Sequence, residues 1–363
     1  MPSLSSPIAI WTLTSGGADL GWRLNQHLVN GQLFVAASVE AAAFEATIFE
    51  RLREAVIRHF DRFEAHVFIM ATGIVVRTLA DLIRHKTRDP AVLVMDETGH
   101  YVISLLSGHL GGANQLAREM AGIIGAAPVI TTATDLRGVP AIDLIAQERG
   151  LLIENPDAIR TVSAALLRGE TITVCDPFAW LQGALPATMV RPIDLNAENP
   201  AGAENGAGPA VMVHDIHVDL PPEVLILRPA SLFVGLGCNR GTPAGEITAL
   251  LDTVLMRFGL ARRSLAGLAS VDLKADEAGL ETAARRYGLP LTFFTRDRLA
   301  AVADIRTPSA TVKKHIGIPS VCEAAALLAS DNGDLIVPKQ RTRNVTVAIA
   351  RRAFTSSVSD RAI

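Results

Sequence analysis

The feature that most constrains this chain is the regular alternation of short β-rich runs with segments of helical spacing. PIAIWTLT precedes helical spacing over residues 19–29, and QLFVAAS precedes a second such stretch over 42–59. HVFIM then runs into Gly73 and GIVVRTLADLIRH, where Val75, Leu79, Leu82 and Ile83 share one helical face. Alternation of this kind builds parallel sheets with helices packed on them. AVLVM and YVISLL, on either side of Asp96-Glu97-Thr98-Gly99, predict a hairpin. Behind it Leu110, Ala113, Ala117, Met120 and Ile124 recur at helical spacing, which predicts a helix buried on one side and stopped by Gly125. PVITTATD reads as a further strand and GVPAIDLIAQERG as a further helix.

Residues 194–209 are rich in Gly, Pro, Ala and Asn and read as a linker. Beyond them SLFVGLGCNRGTPAGEITALLDTVLMRFG is again strand, glycine-rich turn and helix, with Thr242 expected as N-cap and Pro243 at the first helical position. The expected fold class is therefore multi-domain α/β with mainly parallel sheet. The expected organisation is an N-terminal α/β domain over 1–85, a central domain over 86–193, a linker over 194–227 and a C-terminal α/β domain over 228–353. A length of 363 residues suits two or three such units.

The 34 Lys and Arg nearly balance the 37 Asp and Glu, so no global field recruits nucleic acid or anionic lipid. No run approaches the roughly 18 apolar residues of a membrane span, and the N-terminus lacks the basic and apolar regions of a secretory signal. Cys175, Cys238 and Cys322 stand far apart with no Cys-x-x-Cys pair, which fits neither a disulfide framework nor a thiolate metal site. A cytoplasmic protein is expected.

Four turns combine glycine or small hydroxyl residues with a helix start: Thr72-Gly73, Ser107-Gly108-His109 with Gly111 and Gly112, Thr131-Thr132-Ala133-Thr134, and Gly235 to Thr242. Open amides and the positive end of a helix dipole suit anionic oxygens, so a substrate rich in carboxylates would fit them. The plain alternative is that the glycines only permit tight turns. Nucleotide fingerprints fail: Arg240 stands where Gly235-x-Gly237 would need its third glycine, and no phosphate-binding G-x-x-x-x-G-K-[ST] occurs. A nucleotide-dependent oxidoreductase is disfavoured accordingly. His109, at a helix start, is the acid/base candidate. Asp135, Glu97, Asp96 and Asn114 are its polar neighbours in sequence, each with a bland alternative as turn, cap or surface residue. Lys274 suits an ion pair or an anion contact, and Lys313, Lys314, Lys339, Arg341 and Arg343 form a mildly basic zone.

The strings FIMATGIVVRTLADLI, SLLSGHLGGANQLAREMAGIIG and VITTATD closely resemble the CbiG family, the cobalt-precorrin-5A hydrolases of cobalamin biosynthesis. VGLGCNRGTPAGEI, SVDLKADEAGL, SVCEAAALLA and VTVAIAR resemble the CobE-type domain that closes the same family. The resemblance implies hydrolytic opening of the δ-lactone of cobalt-precorrin-5A and release of acetaldehyde, giving cobalt-precorrin-5B in the anaerobic route. It implies no cofactor or metal bound by the protein, since cobalt is carried by the substrate. On this reading His109 is the base, assisted by Asp135 or Glu97, and amides near Gly108, Gly111 and Gly112 hold an oxyanion or a carboxylate. Thr72, Gly73, Ser107, Asn114, Thr131, Thr132 and Thr134 join the substrate surface. Gly235, Gly237, Arg240, Thr242 and Lys274 would hold acetate or propionate arms. The partners are the corrinoid substrate and neighbouring pathway enzymes, with a homodimer left open. The alternative is a corrinoid carrier without chemistry of its own.

Overall fold

The computed structural model describes residues 2–39, 45–84, 88–109, 111–193, 208–309 and 317–353. They form two compact units, 1–144 and 145–363. The first contains β1 (Pro7–Thr12), α1 (Ser15–Asn25), β2 (Asn30–Ala36), β3 (Thr47–Phe49), α2 (Leu52–His59), β4 (Ala65–Ile69) and α3 (Thr72–Leu79). It continues through β5 (Ala91–Met95), β6 (Tyr101–Leu106), α4 (Ala113–Ile124), β7 (Ala127–Val129) and α5 (Ala133–Arg137) to the start of α6 (Ile142–Glu148).

The seven strands make one sheet in the order β3-β2-β1-β4-β5-β6-β7. Every pairing is parallel except β5 with β6, where Met95 faces Val102 and Val92 faces Leu106. Strand residues of alternating parity serve opposite faces, as a pleat demands. Ile8 and Ile10 pack with Leu20 and Leu24 of α1 and Leu116 and Met120 of α4. Ala9 and Trp11 pack on the other side with Val56 of α2 and with Val75 and Leu79 of α3. The boundary expected between residues 85 and 86 therefore falls inside a continuous sheet. Segment 86–129 supplies three of its strands, and no break in hydrophobic patterning could have announced a domain there.

On the second face His66 is fully buried, its Nδ1 accepting a hydrogen bond from Trp11 Nε1 (3.1 Å) and its Nε2–H donating to Phe60 O (3.1 Å). Burial holds this imidazole down at about 4, so it is neutral in the fold.

The second unit carries β8 (Leu151–Ile153), α7 (Ile159–Leu167), β9 (Ile172–Cys175), β10 (Val190–Pro192), β11 (Ala210–Val213) and β12 (Leu225–Pro229). They form a sheet ordered β10-β9-β11-β12-β8, with β8 antiparallel. Then come β13 (Leu232–Cys238), α8 (Ala244–Arg257), β14 (Leu265–Val271), α9 (Ala278–Tyr287), β15 (Leu291–Phe294), α10 (Arg296–Ala300), α11 (Val321–Ala329), β16 (Asp334–Arg341) and β17 (Val345–Arg351). Their sheet is ordered β15-β14-β13-β17-β16, with β17 antiparallel to both neighbours. The linker expected over 194–227 is corrected in part: β11 is an interior strand of the middle sheet and β12 begins at Leu225. Residues 194–207 lie outside the described residues.

A buried ionic cluster joins these two sheets. Asp215, fully buried after β11, accepts Ser231 Oγ (2.8 Å), Arg351 Nε (2.6 Å) and Arg351 Nη2 (2.9 Å), while Arg351 stacks over Phe178. Burial alone would raise the Asp215 carboxyl, but the bonds from His214, Arg351 and Ser231 hold it near 2.

Two outcomes follow from these buried groups. Because His66 is neutral when folded and basic when unfolded, its share of stability, about 3 kcal/mol, is present above pH 6.5 and disappears as pH falls toward 4. A pH series of thermal unfolding should show this acid limb in the wild type and not in His66→Gln. Arg351→Met leaves Asp215 charged and unpaired, and chemical denaturation should show a loss of about 3–5 kcal/mol.

Candidate functional site

His109 leaves β6 on the loop that leads into α4, and it sits between two carboxylates. Its Nε2 is 3.2 Å from Asp135 Oδ2 and 2.9 Å from Thr134 Oγ1, and its Nδ1 is 3.6 Å from Asp143 Oδ2. The imidazole is 22% exposed, enough to meet a ligand and too little for solvent to screen its partners. The Asp143 contact raises its pKa above 6.5 against the opposing effect of burial, and Asp135 adds to the rise.

Asp135 is heavily engaged. It accepts Thr132 Oγ1 (2.6 Å), Asn114 Nδ2 (2.9 Å), His109 Nε2 and a short bond from Arg118. Burial pushes this carboxyl up, but those donors outweigh it and hold it below the ordinary range. With four donors it is an anchored anion that orients the imidazole, in the way buried carboxylates orient catalytic histidines. Asn114 stands behind it, buried, its Oδ1 accepting Ser104 Oγ (2.7 Å). Asn114 is therefore a support for Asp135, and the substrate contact expected of it is corrected.

The loop is shaped by close approach. A Cβ on Gly111 would stand 2.2 Å from Ser107 Cβ, so only glycine closes this bend, and Ser107 itself takes φ 59° while its Oγ donates to Asp89 O. The amides of Gly112, Ala113 and Asn114 donate to His109 O, Ser107 O and Gly108 O. The start of α4 is thus closed on its own loop, and Gly112 is removed from the amides available to an oxyanion. Gly108 and Gly111 donate no backbone hydrogen bond among the described residues. Thr132 and Thr134 touch the cluster, and Thr131 is exposed beside it.

Glu97, Thr72 and Gly73 lie elsewhere. Because β6 runs against β5, the end of β6 returns to the end where β5 begins, opposite Val92 and about 17 Å of extended chain away from Glu97. Glu97 is corrected as a partner of His109. It accepts Thr14 Oγ1 (2.7 Å) in a crevice of about 510 Å³, lined also by Met70, Thr72, Ile74 and Tyr101. That crevice is the switch point between β1 and β4, the usual ligand position of an open α/β sheet. Asp96 is a turn residue: its carboxylate accepts the amides of Thr98, His100 and Tyr101.

In the second unit Gly235 is a packing position, since a Cβ there would lie 1.8 Å from Cys322 O of α11. Its expected role toward a ligand is corrected. Thr242 does not cap α8: Pro243 takes the N-cap position and Thr242 Oγ1 donates to Asn239 O (2.8 Å). Gly237, Arg240 and Lys274 do share a cavity of about 410 Å³, together with Lys339, Arg341 and Arg343. Arg240 is bound there to both oxygens of Asp276 (2.6 Å each), and Lys274 to Glu277 (3.1 Å). Lys313 and Lys314 lie outside the described residues.

Three family models match the chain in sequence order: cobalamin synthesis G N-terminal over 54–135, the cobalamin biosynthesis central region over 140–229, and cobalamin synthesis G C-terminus over 232–350. Cobalt-precorrin-5A hydrolase of Salmonella typhimurium is 34% identical over 94% of this chain and 97% of its own length. The chain belongs to the cobalt-precorrin-5A hydrolase family. The Priestia megaterium hydrolase is also 34% identical, over 80% of this chain and 79% of its own length. Protein CobE of Sinorhizobium sp is 37% identical over 33% of this chain and 80% of its own. Within the family's frame the two carboxylates on His109 come from different segments: Asp135 ends the N-terminal match and Asp143 lies in the central one.

Asp143 was not singled out in sequence because it lies in an ordinary helical run, 34 residues beyond His109, with no motif around it. Its effect is measurable. An NMR titration of His109 in the full chain should give a midpoint above 6.5, and Asp143→Asn should lower it. The stabilisation from this pairing is present below pH 6.5 and is lost as pH rises through the folded value, so the variant's deficit should be largest on the acid side.

Proposed function

We propose that the chain is a cobalt-precorrin-5A hydrolase that opens the δ-lactone of its corrinoid substrate, with acetaldehyde lost in the same overall conversion. Family membership supports the substrate, and one observation supports the chemistry: a partly exposed imidazole held between an anchored carboxylate and a looser one.

Lactone hydrolysis needs a base to take a proton from water as it adds to the acyl carbon, and an acid to return a proton to the departing ring oxygen. One imidazole can do both in turn. Nε2 is tied to Asp135 and Thr134, whereas Asp143 is 3.6 Å from Nδ1, longer than a good hydrogen bond. Nδ1 is therefore the nitrogen that turns to water or substrate. A second proton abstraction, from the freed hydroxyl, lets the carbon–carbon bond break; the aldehyde leaves and the electron pair passes into the macrocycle, which takes up a proton. Cobalt enters inside the substrate, and we assign no separate metal or cofactor to the protein. The amides of Gly108 and Gly111 are the donors this loop offers to the oxyanion. We place the reaction in the cytoplasm, where Cys175, Cys238 and Cys322, which form no disulfide among the described residues, stay reduced.

The C-terminal likeness to CobE, a protein that exists by itself, favours a second reading in which the chain only carries corrinoids. One assay divides the readings. Anaerobic single-turnover incubation with cobalt-precorrin-5A should release acetaldehyde, and His109→Ala should slow release by about 10²–10⁴ fold with the thermal unfolding midpoint little changed. A colour shift without aldehyde from the wild type means a carrier. An unaltered rate in the variant removes His109 from the chemistry.

A further inference from the structure

The cavity of the C-terminal sheet gathers more positive charge than its ion pairs consume. Around about 410 Å³ stand Arg240, Lys274, Lys339, Arg341 and Arg343. Three of these cations are engaged: Arg240 by Asp276 and Leu273 O, Lys274 by Glu277, and Lys339 by Thr307 O. The backbone amide of Lys339 and both donors of Thr307 bind the buried Glu323, which fixes that wall of the cavity. Arg341 and Arg343 have no ion pair among the described residues. They occupy the end of β16 and the turn into β17, two residues apart.

That turn is built before any ligand arrives. Thr342 N donates to Val345 O (2.9 Å), and Thr342 Oγ1 accepts from the amides of Asn344 and Val345. Glu246 of α8 takes Thr342 Oγ1 (3.3 Å) and Asn344 Nδ2 (3.1 Å), so its carboxylate secures the turn through uncharged groups and binds neither guanidinium. Two forked cations on a fixed hairpin suit planar carboxylates, which accept such forks through both oxygens.

We propose that this cavity is a second ligand site, separate from His109, which holds a polycarboxylate tetrapyrrole by its acid arms through Arg341 and Arg343. The paired Arg240 and Lys274 define its wall, and the recognition reads the number of carboxylates more than the ring. The inference rests on the corrinoid reading above and adds to it the residues that hold the arms.

The probe is uroporphyrin, an octacarboxylate tetrapyrrole, titrated into the full chain and followed by its own absorbance. The wild type should bind it, and more tightly than coproporphyrin, which has half as many carboxylates. The double variant Arg341→Ala, Arg343→Ala should bind about tenfold or more weakly, and Arg341→Lys, Arg343→Lys should recover only part of the loss, because the charges remain but the two-oxygen forks do not. Binding should weaken with salt. Equal affinity of the wild type and the alanine double variant, or equal affinity for the two porphyrins, overturns the site. Acetaldehyde release separates this proposal from the reading it rests on. Arginine-dependent binding without aldehyde keeps the site and removes the hydrolase, whereas aldehyde with arginine-independent binding removes the site alone.

Discussion

The geometry of the N-terminal unit depends on a chain reversal held by one carboxylate. Asp96 receives the hydroxyl of Thr98 and the amides of Tyr101, His100 and Thr98, and these bonds overcome its burial and hold the carboxyl near 2. It therefore stays ionised, and the turn holds, at any physiological pH. The reversal makes β6 the one strand that enters the sheet against its neighbour β5. Everything after β6 is delivered to the other edge: the His109 loop, the start of α4 and, through β7, Thr132 and Asp135. A parallel crossover at this point would have carried His109 to the edge occupied by Glu97 and the β1–β4 crevice.

The two clusters of buried charge answer the same problem in different ways. A carboxylate taken out of water must be given donors, or it takes up a proton. Asp215 is supplied chiefly by a guanidinium, so its ionisation fastens β11 and β17 into a single frame. Asp135 is supplied by Thr132, Asn114, Arg118 and His109, three of which belong to the loop–helix region that presents the imidazole. Its donors orient the imidazole proposed to exchange a proton, and the more distant partner, Asp143, holds the other ring nitrogen at 3.6 Å.

What could be read in the sequence was the local signal. Alternating strand and helix runs, the hairpin around Asp96 to Gly99, and Gly125 as the stop of α4 all follow from rules that act over a few residues, and Gly125 indeed takes φ 70° there. The contact of His109 with Asp135 was readable only as a pair of candidates, because distance between segments depends on strand direction. Glu97 was misplaced although the expected hairpin already set β6 against β5: it was paired with His109 as a neighbour in sequence, whereas the reversal carries the chain after β6 to the opposite end of the strands. Gly235 and Thr242 misled through a real ambiguity: a glycine-rich turn before a helix looks alike whether its missing side chains admit an anion or a neighbouring helix. The expected boundary at 85/86 failed because one doubly wound sheet extended by an antiparallel strand has the same alternation as two smaller sheets.

The charge of the reaction argues for separating chemistry from holding. The His109 cluster contains two carboxylates, Asp135 and Asp143, and among the described residues Arg118 and the imidazole itself oppose them. A ligand covered in acid arms gains little by resting those arms there. At cellular salt the field of such a cluster decays over about 8–10 Å, so it governs the reacting atoms and not distant arms. Hydrolysis of a lactone also adds an anion: the acyl carbon becomes a carboxylate, the ring oxygen a hydroxyl, and one proton is released. With the imidazole neutral, as the proposed base must be, the centre keeps one net negative charge and disfavours the product slightly more than the substrate, which would help release there. A surface with unpaired arginines has the opposite preference. The two charge sets belong to different units of the chain, and each carries the sign its own proposed task requires.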